Sequence, residues 1–327
     1  MKDANTRHVR VCVTRRLPAE VEHHLSELYD VKLSSDDVPM SREALREAML
    51  QYDAVVPTIT DRIDAELIEV GGRKAGLLAN YGAGVDHIDL EAARSAGLIV
   101  TNTPGALTEA TAELAILLML MAARRAGEGE RELRARTWTG WRPTHLVGQS
   151  LAGRTLGLVG FGRIAQRTAE KARGLGMRIV YFSRSPPPTE VEAGLDAKRA
   201  LSLEDLAEQS DIVSLHVPGG PATRHLVDSR FLARMKPTAI LINTARGSVV
   251  DEEALAQALN SGRIAAAGLD VYEREPQVHP QLLASDRAVL LPHLGSATIE
   301  SRVAMGMQAA ANLAAYFDGR QPPDRVA

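Results

Sequence analysis

The sequence predicts an α/β protein of two domains, each a doubly wound parallel sheet with helices on both faces. Three observations carry this. Short apolar runs alternate with helix-patterned segments, the mark of parallel strands joined by crossover helices. The alternation breaks at Thr103-Pro104-Gly105 and restarts near Thr155. The restart reads TLGLVGFGRIA over 155–165, an apolar strand that runs into a glycine turn and then a helical pattern. A chain of 327 residues also exceeds one typical core, which favours two domains.

The first alternation has strand patterns over 9–13, 31–33, 54–56, 76–79 and 98–100, with helices over 18–28, 41–50, 64–70 and 90–96. Ser41 with Glu43 and Glu47 puts a cap and acids near a helix start. After the break comes a long helix over 108–125, then the charged segment GEGERELRARTWTGW. The second alternation has strands over 155–159, 177–182, 212–217, 239–243, 265–271 and 288–291, enough for a full dinucleotide-binding sheet. A helix over 251–261 has acids in its first turn and Gly262 as its stop. The last helix, over 298–317, has no strand after it and is expected to return to the first domain. The expected division is 1–102 with 296–327 against 103–295, the chain crossing near Thr103 and near Gly295.

The glycine turn has a specific chemical use. Gly160 permits the tight turn, Gly162 lets a pyrophosphate approach the backbone, and the small Ala165 lets helix and strand pack closely. The N–H groups of Phe161, Gly162, Arg163 and Ile164 then face the phosphates at the positive end of the helix. A plain structural turn has the same short pattern, so the next strand matters. It ends in Ser183-Arg184-Ser185, with no acid until Glu190. An Asp or Glu there would accept from a ribose 2′-hydroxyl and repel a 2′-phosphate; an arginine with two hydroxyls does the reverse. The cofactor reading is NADP(H) over NAD(H), against a solvated basic turn before Pro186-Pro187-Pro188.

Three later strands end in reactive groups: Arg246 in NTARG (243–247), Glu275 in DVYEREP (270–276) and His293 in PHLGS (292–296). In an open parallel sheet, ligands bind beyond the carboxyl ends of the strands. Singly, each residue could be a surface arginine, a solvated loop acid or a capping histidine. Together they describe reduction of a 2-oxo acid. An imidazole donates the proton near neutrality, a carboxylate fixes the ring and stabilises its charged form, and a guanidinium fork holds carboxylate and keto group.

Other classes fit poorly. The net charge of -3 leaves no electrostatic footprint for nucleic acid or an anionic membrane. The longest apolar stretch, 114–123, is too short for a bilayer and reads as a buried helix. No signal-peptide pattern opens the sequence. The single cysteine, Cys12, excludes disulfides within the chain and suits a cytoplasmic location. The nine histidines form no metal-ligand pair, so no metal is expected. GQSLAG (148–153) misses the G-x-S-x-G spacing and precedes a strand, which removes a hydrolase elbow.

The stretches NYGAGVDHIDL (80–90), TNTPGALTEATAELA (101–115), HVPGGPATRHLV (216–227), INTARGSVVDEEAL (242–255), AAGLDVYEREP (266–276) and LLPHLGSAT (290–298), with the glycine turn, run over nearly the whole chain, and those that hold Arg246, Glu275 and His293 are specific. On them the sequence resembles the D-isomer-specific 2-hydroxyacid dehydrogenase family, nearest its glyoxylate/hydroxypyruvate reductase branch. The resemblance implies a Rossmann coenzyme domain and a flavodoxin-like, discontinuous substrate domain. It implies that Arg246 binds substrate, that His293 is the acid/base and that Glu275 pairs with it. The N–H groups of Ala83 and Gly84 would bind the substrate carboxylate, and Asp270 the nicotinamide carboxamide. Thr108, Val217, Pro218, Thr223, Thr244, Ala245 and Gly295 would line the cofactor, beside Arg246 and His293 themselves. It further implies cleft closure and a homodimer through the coenzyme domain, with a Trp138–Trp141 arm reaching the partner's site.

Two departures stand out. Ala165 replaces the commoner third glycine, and Pro57 sits where a hydrophobic loop approaches substrate, with Ile59 as the candidate side-chain wall. The first expectation is thus an NADPH-dependent reductase of glyoxylate or hydroxypyruvate. The alternatives are a reductase of a larger oxo acid, such as 2-ketogluconate or an aryl pyruvate, and a dinucleotide-sensing interaction protein of the same fold.

Overall fold

A computed structural model describes residues 8–327. In chain order the elements are β1 (Arg10–Val13), α1 (Ala19–Leu28), β2 (Asp30–Lys32), α2 (Arg42–Gln51), β3 (Ala54–Val56), α3 (Ala65–Ile68), β4 (Leu77–Ala79), α4 (Leu90–Ser95) and β5 (Ile99–Thr101). Then come α5 (Thr108–Ala123), α6 (Ala126–Arg134), β6 (Thr155–Val159), α7 (Arg163–Gly174), β7 (Arg178–Phe182), α8 (Thr189–Leu195), β8 (Ala197–Arg199), α9 (Leu203–Gln209) and β9 (Ile212–Leu215). The rest is α10 (Ser229–Arg234), β10 (Ile240–Asn243), α11 (Glu252–Asn260), β11 (Ala266–Leu269), α12 (Pro280–Leu283), β12 (Ala288–Leu290) and α13 (Ile299–Phe317).

The expected α/β architecture with two parallel sheets is what the chain forms. It divides into two compact units, one ending at Leu107 and resuming as Ser296–Ala327, the other Thr108–Gly295. The first crossing comes later than the expected Thr103, because Ala106 and Leu107 still pack on the first unit's core.

The first unit has a sheet in the order β2-β1-β3-β4-β5, that of flavodoxin-like folds. Side chains alternate across it with the period of two that a strand imposes. Cys12, Val55, Leu78 and Val100 face α2, α3 and α4. Val11, Val13, Ala54, Val56, Leu77 and Ala79 face α1 and α13. Capping starts the helices where the sequence indicates: Ser41, Asp64 and Asp89 each accept backbone N–H bonds at the starts of α2, α3 and α4.

The second unit has a seven-stranded sheet in the order β12-β11-β10-β9-β6-β7-β8. Its central strands are buried on both faces, as all-parallel strands must be. Leu156, Leu158, Ile212, Ile240 and Ile242 pack under α5 and α7, while Val213, Leu215, Leu241 and Leu269 pack under α9, α10 and α11. Two elements correct the sequence reading. Strand β8, reading AKR, exceeds the six strands expected; it is an edge strand with Lys198 and Arg199 exposed, so no apolar alternation announces it. The charged segment after α5 begins as α6, a helix with no buried residue and hence no apolar stripe to read. No helix among the described residues is long and apolar enough to cross a membrane.

Candidate active site

The second sheet's functional groups stand at the carboxyl ends of its strands, on both sides of the point where strand order reverses, between β6 and β9. β6 runs into Gly160, whose φ of +87° is left-handed. A Cβ at Gly160 would lie 2.5 Å from the His216 carbonyl oxygen, so both conformation and space demand glycine. At Gly162 a Cβ would meet nothing within 4 Å, which leaves the outer side of the turn open. Phe161 stacks on Tyr181 of β7 with ring centroids 4.0 Å apart, fixing the turn to the neighbouring strand. α7 starts with Gly162 as its N-cap, without a side-chain cap and without an acid in its first turn. Its free N–H groups and dipole are therefore not neutralised from within. His216 keeps part of its surface open, yet burial of its imidazole pushes its pKa down to about 4, so the floor of the turn is uncharged at neutral pH.

These features fit a dinucleotide. Thr244 adds to the fit: its hydroxyl is buried at the end of β10 and has no hydrogen-bond partner among the described residues, a cost of about 1–3 kcal/mol unless a ligand satisfies it. Thr223 is committed internally, its hydroxyl donating to the Pro218 carbonyl at 2.6 Å to shape the 217–223 loop. Ser183, Arg184 and Ser185 follow β7, with Arg184 and Ser185 exposed.

Arg246 follows β10 in an extended backbone conformation. Asn243 holds this turn, its Nδ2 donating to the Arg246 carbonyl at 2.8 Å and its Oδ1 accepting the Ala245 N–H at 3.0 Å. Arg246 Nη1 donates to the Ala245 carbonyl at 2.8 Å.

Glu275 and His293 meet. Glu275 Oε2 lies 2.8 Å from His293 Nδ1, and Glu275 Oε1 accepts the Tyr272 N–H at 3.0 Å. Burial pushes the Glu275 carboxyl up, but the hydrogen bond and charge of His293, with a contribution from Arg246, outweigh this and hold it below its usual value. Ionised, it accepts only, so Nδ1 carries the hydrogen and Nε2 is the nitrogen left for proton exchange.

His293 itself has φ +55°, a conformation costing about 1–3 kcal/mol for a residue other than glycine. Its neighbours over-determine it. The buried Asp270 carboxylate accepts from Leu294 N–H at 2.6 Å and Gly295 N–H at 2.8 Å, and its carbonyl accepts the His293 N–H at 2.9 Å. Thr111 donates to the Gly295 carbonyl at 2.9 Å. Burial raises the Asp270 pKa despite these N–H bonds and the His293 charge. Asp270 thus has a role the sequence did not reveal, as the staple of the histidine loop.

A second brace joins the arginine and glutamate loops. The Glu273 carboxylate accepts from Arg224 at 2.7 Å and His225 at 2.9 Å, while its N–H donates to the buried Glu252 at 2.7 Å. Gly247 lies against this segment so closely that a Cβ would sit 1.8 Å from the Tyr272 carbonyl carbon. Neither side of that contact is a flexible side chain. Gly247→Ala is expected to cost at least about 3 kcal/mol in urea unfolding; a midpoint and slope equal to wild type would reject the packing argument.

Three expected residues belong to the first unit. Asn80 donates to the carbonyls of Gly82 and Gly84, both at 2.9 Å, and Asn102 to that of Ala83 at 2.7 Å. With these carbonyls held, the N–H groups of Ala83 and Gly84 have no partner among the described residues. Ile59 is partly exposed in the loop after β3, where Asp61 accepts the Thr58 N–H at 2.7 Å and Tyr81 N–H donates to Pro57 at 2.8 Å.

Comparison with known proteins identifies the family. The family model described as D-isomer specific 2-hydroxyacid dehydrogenase, NAD binding domain, matches residues 116–295, more than half of the chain. The glyoxylate reductase of Thermococcus litoralis is 44% identical over 97% of this chain and 96% of its own. A crystal structure of a glyoxylate reductase from Paecilomyes thermophila is 36% identical, with a TM-score of 0.87 over 97% of this chain and 98% of that one. The NADPH-dependent glyoxylate/hydroxypyruvate reductase of Sinorhizobium meliloti is 33% identical, with a TM-score of 0.84 over 98% of both chains. This chain belongs to the D-isomer specific 2-hydroxyacid dehydrogenase family.

Proposed function

We propose that the protein is an NADPH-dependent reductase of a small 2-oxo acid, glyoxylate or hydroxypyruvate, giving glycolate or D-glycerate. The observation that carries this reading is the His293–Glu275 pair at 2.8 Å, set at the end of the sheet that also bears Arg246. A nicotinamide held at this strand end would supply the hydride for the substrate carbonyl carbon. His293 Nε2 gives the proton to the carbonyl oxygen, and Glu275 fixes the ring and offsets its charge. Arg246 holds carboxylate and carbonyl through its fork. The N–H groups of Ala83 and Gly84 bind the substrate carboxylate, and Ile59 forms part of the wall beside it. The glycine turn takes the pyrophosphate, Thr108, Val217, Pro218 and Thr244 line the cofactor, and Asp270 holds the carboxamide with its remaining lone pairs.

NADPH is favoured because Ser183-Arg184-Ser185 offers a cation and two hydroxyls where an acid would select NADH. The Sinorhizobium relative, described as NADPH-dependent, agrees. Arg184→Asp is expected to shift the NADPH/NADH ratio of kcat/KM toward NADH by about tenfold or more; an unchanged ratio places the 2′-phosphate elsewhere. The protein works as a cytoplasmic homodimer in this reading. Leu117 and Leu120 leave an apolar face on α5, 45% and 37% exposed, and Trp138 and Trp141 project from the following arm.

Initial rates with glyoxylate, hydroxypyruvate, pyruvate, phenylpyruvate and 2-ketogluconate, each with NADPH and NADH, test the proposal. NADPH with glyoxylate or hydroxypyruvate should give the highest kcat/KM. A bulkier acid in first place would transfer the assignment to a larger substrate. NADPH binding without turnover would mark a dinucleotide sensor.

A further inference from the structure

Beside β7 lies the edge strand β8, which ends on Arg199. The two strands are parallel with Tyr181 opposite Arg199, so their following loops leave the same edge of the sheet. Arg199 turns over that edge, and its Nη2 donates to the Ser183 carbonyl at 3.0 Å. This bond occupies one of a guanidinium's five N–H donors. Arg199 is exposed, and no carboxylate among the described residues forms an ion pair with it. Ser183 is therefore flanked by two cations, Arg184 next in sequence and Arg199 across the strand gap.

We infer that Arg199 is a second reader of the cofactor's 2′-phosphate, acting with Arg184 from the neighbouring strand. This rests on the NADPH reading above. Two guanidinium groups at one strand end repel each other unless an anion lies between them, and a phosphate monoester carries nearly two negative charges and three acceptor oxygens. A ribose 2′-hydroxyl gains nothing comparable. The bond to Ser183 also limits the rotamer freedom of Arg199, so less entropy is lost when the phosphate arrives. Arg184 lies on a loop, whereas Arg199 is anchored to a strand and a carbonyl.

Calorimetric titration of the purified protein with 2′,5′-ADP and with 5′-AMP isolates this contact, because the two probes differ only in the 2′-phosphate. Wild type should bind 2′,5′-ADP more tightly. Arg199→Gln should weaken 2′,5′-ADP about tenfold and 5′-AMP less than about twofold, with Arg199→Lys intermediate. Unchanged 2′,5′-ADP affinity in Arg199→Gln would overturn the inference while leaving the NADPH reading intact. Equal weakening of both probes would also overturn it, showing that Arg199 only braces Ser183. A wild-type protein that binds both probes equally would instead reject the NADPH reading, and the inference with it.

Discussion

Alanine at His293 is expected to lower kcat for 2-oxo acid reduction by roughly 10²–10⁴-fold, the range that general acid catalysis contributes. Cofactor affinity should change by less than about twofold, since in the proposed role the imidazole acts on substrate oxygen, and the loop is held by other groups. The structure gives reason for that separation. The conformation of residues 293–295 depends on the Asp270 carboxylate and the Thr111 hydroxyl, which bond backbone groups of Leu294 and Gly295. Losing the ring also leaves Glu275 with the Tyr272 N–H and the charge of Arg246 to offset its burial, so its pKa should rise. Steady-state rates with fluorescence titration of NADPH make the comparison. Turnover within a few-fold of wild type would remove His293 from the acid role.

Arg246→Lys is expected to lower kcat/KM for the oxo acid by about 10²-fold or more, near 3 kcal/mol of transition-state stabilisation. Lysine preserves the charge but presents a point donor in place of a planar fork, so carboxylate and carbonyl cannot both be held. The local backbone should survive, because Asn243 holds the Arg246 carbonyl and the Ala245 N–H, not the side chain. Thermal unfolding of the variant should match wild type while activity falls. If kcat/KM hardly changes, substrate is anchored by other groups.

Much of the fold was legible because burial imposes local periods. Every central strand appears as an apolar run, and the cap Ser41 sits one residue before its helix. What escaped has no buried stripe: β8 is a short charged edge strand and α6 buries no residue. The same distinction holds at the site. Arg246, Glu275 and His293 were placed because each follows an apolar strand. The supporting bonds join residues far apart in sequence, Glu273 to Glu252 and to Arg224, and Asp270 to Leu294. No periodicity relates such partners. The nearest local signal was Glu252 itself, a first-turn acid that reads as dipole compensation on α11 and is instead buried and bonded to another loop.

Cys12 has a practical consequence. It is fully buried in β1, and burial raises its thiol to about 11, with Lys32 opposing and Asp61 adding to the effect. At neutral pH it is neither thiolate nor accessible, so maleimide reagents should pass it by. The wild-type chain is thus a ready background for site-specific labelling. A cysteine placed at exposed Leu201 on one unit and another at exposed Val38 on the other would carry a fluorophore pair without first removing a native thiol.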